Sequence, residues 1–163
     1  MDGWGESTAR VADTAYVGRH AKVCGHARVQ GHARIDGNAI VRGYAVVDQH
    51  RIVMDNAIVQ HKARCSGNAI IRDNAKLLGR SVIDMNCVVR GVAKVKNQAH
   101  CTGNAKISGN AVLCGQTIVS KGRVRDNSSV GSCNVSPAIP LGSSPLGESL
   151  SNPISYGRMQ SQN

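Results

Sequence analysis

Apolar residues recur along this chain every six positions. The series Val11, Val17, Val23, Val29, Ile35 continues at that step to Val119, and all nineteen members are aliphatic or cysteine. Two residues before each member stands a small residue, Ala at fifteen of the nineteen sites; the exceptions are Arg51, Ser81, Cys87 and Thr117. Two residues after it Gly is frequent, as at Gly25, Gly37, Gly67 and Gly109, and Asn or His often follows. The unit is Ala-x-Val-x-Gly-Asn. Alternation of Ala and Val with variable residues turns both to one side of a short strand. Gly and Asn suit the intervening turn because both tolerate positive φ. A period of six cannot keep Val on one face of an α-helix. Identical successive units predict a solenoid of stacked coils rather than hairpins.

This pattern resembles the hexapeptide repeat of left-handed parallel β-helices. The runs Cys24-Gly-His-Ala-Arg-Val29 and Thr102-Gly-Asn-Ala-Lys-Ile107 are most similar to YdcK-like hexapeptide-repeat proteins of bacteria and phages. The resemblance covers about residues 9–130. It implies an all-β, single-stranded left-handed parallel β-helix with triangular coils of 18 residues, about six to seven in number. That winding departs from the usual right-handed crossover. The implied organisation is an N-terminal cap over 1–8, the repeat over 9–133 and a tail over 134–163. The tail holds all four prolines and reads as disordered or as a strap onto a neighbouring subunit; Trp4 is expected to plug the first coil.

Composition fits a thin interior. The chain of 163 residues has no Phe, one Trp and 2% aromatics. A narrow triangular coil takes Ala and Val, and a Phe would overpack it. Arg51, at an Ala site, is expected to turn outward on a local bulge, since an unpaired inward Arg is costly. The register slips by one after Val119, so Lys121–Arg125 is expected to hold a deletion or bent corner. Cys65, Cys87 and Cys101 fall on inward sites and Cys24 and Cys114 on outward ones; no pair within the regular coils is placed for a disulfide, and Cys133 has no assigned place. Free thiols, no 18-residue apolar window and no apolar leader segment suggest a cytoplasmic protein without a membrane span. No zinc spacing is present, and neither a metal nor a cofactor is expected.

Residues eighteen apart stack, which converts the sequence into surface columns. The Asn column through Asn38, Asn56, Asn74 and Asn110 reads as left-handed turn residues. His32 stacks on His50 as turn substitutes. Ile52, Met54, Ile70 and Val88 form one apolar strip, and Ile40, Ile58 and Leu78 another. Both read as subunit interfaces, and the resemblance implies a homotrimer with parallel axes. Arg72 stacks on Arg90 and Lys76 on Lys94 about one corner. With a net charge of +10, these columns suggest bound anions.

The expected function is therefore a non-catalytic oligomeric binding or scaffold protein. Its basic columns would hold a nucleotide-type ligand, nucleic acid or an acidic protein. The first alternative, implied by the wider hexapeptide family, is an acyl-CoA-dependent transferase with His100 as general base; against it, the hexads run unbroken from Ala9 to Val119 with no inserted loop, no paired carboxylate or acceptor pocket is readable near His100, and the Pro-rich tail disfavours the helix the family often has. A further alternative is a structural virion or assembly component.

Overall fold

The computed structural model describes residues 4–5 and 8–132. It contains 22 two-residue strands and, among the described residues, no helix. The strands form three parallel sheets, the faces A, B and C of a left-handed β-helix. Face A runs from Trp4–Gly5 to Ser129–Val130, face B from Arg10–Val11 to Ile118–Val119, and face C from Tyr16–Val17 to Arg123–Val124. Each strand pairs with those one coil away, as Ile58 with Ile40 and Lys76, eighteen residues to either side. At about 4.8 Å per coil, every backbone amide along a strand finds the coil next to it.

The core is the Ala and Val ladder. Ala21 through Ala111 and Val23 through Val124 are almost completely buried, with Leu77, Leu113 and four isoleucines as the bulkiest aliphatics. Cys65, Cys87 and Cys101 are buried among them as free thiols, as expected. The expected slip is also present. Lys106 pairs with Arg123 and Val112 with Ser129, seventeen residues apart, so the corner at Ser120–Gly122 is one residue short.

The corners differ from the expectation in one respect. From Val23 to Leu113 positive φ falls on the residue two after each inward aliphatic or cysteine, and where Gly is missing Gln49, Asp55, His61, Asp73, Met85 and Asn97 adopt it, as Asp126 does after Val124; at the shortened corner it falls on Gly122. The Asn residues that follow are not left-handed. They form amide ladders instead, Asn38 donating to Asn56 and Asn56 to Asn74 (3.3 Å each), and Asn68 to Asn86 to Asn104 (3.4 and 3.1 Å). The reason is crowding between coils: a Cβ added at Gly67 would stand 2.7 Å from the Met85 nitrogen. His32 does stack on His50, with ring centroids 5.2 Å apart.

Two further expectations are corrected. Arg51 makes no outward bulge; it is fully buried, with Nε, Nη1 and Nη2 all lacking hydrogen-bond partners. Its guanidinium runs inside the coil, where an Arg side chain is long enough to leave the Ala column. Cys114 is buried rather than outward and is disulfide-bonded. No helix of the described residues is long and apolar enough to cross a membrane. The expected plug by the Trp4 side chain and the tail over 134–163 lie outside the described residues.

Candidate active site

Face B carries His100 at an outward strand position, directly opposite Val82 on the preceding coil. The chain leaves that coil through Asp84, two residues past Val82, at the corner between faces B and C. This diagonal brings Asp84 Oδ2 to 2.8 Å from His100 Nε2. The two side chains are 31% and 25% exposed, open to a substrate yet partly held by the wall. With Nε2–H donating to the carboxylate, Nδ1 carries the lone pair, and an imidazole held in one tautomer is what a general base requires.

The carboxylate straddles that wall. Oδ2 meets His100, while Oδ1 is buried without a partner. The interior also holds Arg51 and the buried thiols of Cys65, Cys87 and Cys101. Burial holds the Arg51 guanidinium below its ordinary range, with Cys65, Asp84, Cys87 and Asp48 acting in the opposite sense. Burial pushes the Cys65 thiol up to about 12, Arg51 opposing. Cys101 is raised chiefly by its hydrogen bond with Cys87 and then by burial. Such thiols are inert, not nucleophiles.

A second feature occupies face C. A concavity of about 490 Å³ is lined by Ile52, Met54, Ile70 and Val88 on its apolar side and by Arg72, Arg90, Lys106, Arg123 and Arg125 on its charged side, with Ser108. It joins two sets that the sequence kept apart, one apolar strip and one basic pair. Lys76 and Lys94 are in register with each other but on face A, outside this concavity. Ile40 and Ile58 pair on face A as well, half-buried like Leu78. Nothing acidic lines the pocket. Among the described residues no group of three or more His, Cys, Asp or Glu could hold a metal ion.

Sequence reasoning missed Asp84, Lys106, Ser108, Arg123 and Arg125. Asp84 was discoverable as the diagonal neighbour of His100, sixteen residues earlier in an eighteen-residue coil. Lys106 and Ser108 continue the columns of Val88 and Arg90. Arg123 and Arg125 join those columns only after the seventeen-residue coil is allowed for.

No family model matches the chain, and no curated protein matches it. Two solved structures are similar in fold. One is a Bacillus cereus protein described as a candidate acetyltransferase, 14% identical, covering 79% of this chain and 78% of that one, with a TM-score of 0.38. The other is the acetyltransferase domain of PglB from Neisseria gonorrhoeae, 20% identical, covering 73% and 54%, with a TM-score of 0.40. The likeness is one of fold. The expectation of a non-catalytic scaffold is corrected at this point. It set the transferase aside because the hexads carry no inserted loop, no paired carboxylate or acceptor pocket was readable near His100 and the tail is Pro-rich; of these, the missing carboxylate is overturned, since Asp84 stands 2.8 Å from the His100 ring.

Proposed function

We propose that the chain is an acyl-CoA-dependent acyltransferase with His100 as general base and Asp84 as its orienting partner. The observation that carries this reading is the Nε2–Oδ2 contact at an outward, half-buried position. Nδ1 of His100 takes the proton from an acceptor hydroxyl or amine as that group attacks the thioester carbonyl. The tetrahedral adduct collapses, the C–S bond breaks, and the CoA thiolate leaves with the proton that His100 returns. Asp84 stabilises the imidazolium between those steps. A positioned base of this kind contributes about 10²–10⁴-fold in rate.

The donor's phosphates call for cations, which the face C concavity supplies through Arg72, Arg90, Lys106 and Arg123, with Lys76 and Lys94 around the corner. Its apolar side, Ile52, Ile70 and Val88, would also be the strip buried in a parallel-axis homotrimer, where a donor held by one subunit would meet His100 of another. The test is acetyl transfer to a panel of small amines and alcohols, read as free CoA thiol. Wild type is expected to turn over and His100→Ala to lose activity. Absence of thiol release above the chemical background across the panel overturns the reading.

A further inference from the structure

Every acidic side chain among the described residues lies at two of the three corners. Asp13, Asp48 and Asp84 stand between faces B and C, and Asp36, Asp55, Asp73 and Asp126 between faces C and A. The corner between faces A and B carries cations instead, one from each of four successive coils: Arg42, Lys62, Arg80 and Lys96. Arg28 and Arg64 flank it on face B. All of these are exposed except Lys96, which is half-buried.

The four corner charges form a straight row. At about 4.8 Å per coil, three steps carry it about 14 Å along the corner. Among the described residues none of the four makes an ion pair. Arg42 Nε donates to Gln60 Oε1 at 2.7 Å, which holds that guanidinium without neutralising it. Lys62 stands one coil from Arg80, and like charges so placed repel. A polyanion along the row would relieve that cost.

The same corner carries two rings. His26 and Tyr44 are stacked, with centroids 4.9 Å apart and planes at 23°. Tyr44 is 59% exposed. The next residue in its column, Lys62, is a flexible chain that can move aside for a planar group on the open face of the ring. A row of cations beside an exposed ring has the two elements that hold a single strand: the cations take phosphates and the ring takes a base. The phosphates of a duplex wind about an axis and leave a straight row, whereas a flexible single strand can follow it. An acidic peptide would meet the charges and leave the rings unused.

We propose that the corner between faces A and B is a binding site for single-stranded nucleic acid, with Arg42, Lys62, Arg80 and Lys96 along the phosphates and Tyr44 against a base. The site adds to the acyl-transfer reading and does not depend on it, since its readout is binding.

The experiment titrates a fluorescent oligothymidylate with the full chain and follows anisotropy across salt concentration. Four phosphate contacts predict a slope of log K against log salt of about −2.8, and Lys62→Gln with Arg80→Gln should bring it to about −1.4. Arg19→Gln with Lys121→Gln removes the same charge from the other two corners and should leave the wild-type slope. Tyr44→Leu should weaken binding by about fivefold or more at an unchanged slope. All these substitutions fall on exposed positions, so folding is retained. No binding at low salt, equal effects of the two charge pairs, or wild-type affinity in Tyr44→Leu overturns the proposal. So does binding of a duplex of the same length, or of polyglutamate, as tight as that of the single strand.

Discussion

Lys106 lies directly opposite Arg123 on face C, although only seventeen residues separate them. The shortened corner at Ser120–Gly122 restores the inward place of Val124 and carries Arg123 and Arg125 into the columns of Lys106 and Ser108. Two cations thus face each other across neighbouring coils on the wall of the basic concavity.

Like charges in direct register are destabilising by about 0.2–1 kcal/mol. Arg123→Ser is expected to stabilise the fold by that amount at low ionic strength, and the gain should vanish at molar salt as screening shortens the interaction. Urea unfolding at two salt concentrations checks it. Inorganic phosphate should raise the midpoint of wild type more than that of the variant.

Asn56 both accepts from Asn38 and donates to Asn74. Each bond is worth about 0.5–1.5 kcal/mol net, and these are exposed. Asn56→Ala should cost about 1 kcal/mol, read as a lower denaturation midpoint with an unchanged slope. A ladder residue with no energetic role would leave the midpoint in place.

Met85 holds φ of 52° at a corner where other coils place Gly. Left-handed backbone costs an L-residue about 1–2 kcal/mol. Met85→Gly is expected to stabilise by about 1 kcal/mol, less than the full strain because Gly loses more entropy on folding. Gly67→Ala, directly beneath, should destabilise, since φ there is 85° and the new methyl meets the Met85 nitrogen at 2.7 Å. Thermal unfolding of the two variants should move in opposite directions.

The buried Cys65 thiol titrates near 12 in the folded chain against an ordinary value of 9.0. Its folded value is raised, so its contribution to stability is complete below pH 9 and is lost as pH climbs from 9 towards 12. Alkaline unfolding should be delayed in Cys65→Val, which removes the titrating group at a site where Val is the ordinary residue. An unchanged alkaline midpoint would contradict the assignment.

The solenoid was legible because its core imposes a strict period. Val23, Ala21 and their successors must all turn inward at the same step, and each departure stands out. Stacking by eighteen also placed Arg72 over Arg90 and His32 over His50. What the period could not supply was the path of a long side chain. Arg51 occupies an Ala site, and the column says nothing of where six further heavy atoms go. Asp84 escaped because its contact with His100 is diagonal, not vertical. The Asn residues were misread because positive φ is set by the closeness of adjacent coils, which favours the residue before them. Arg123 and Arg125 were hidden by the slip that puts them in place.

The most direct measurement is the rate of acetyl transfer in wild type, His100→Ala, Asp84→Asn and the double variant. Residues acting as one unit lose activity non-additively. The account predicts a loss of about 10²–10⁴-fold for His100→Ala, a substantial loss for Asp84→Asn, and a double variant no slower than His100→Ala alone. Full activity in Asp84→Asn, or losses that multiply in the double variant, would contradict a catalytic pair at this corner.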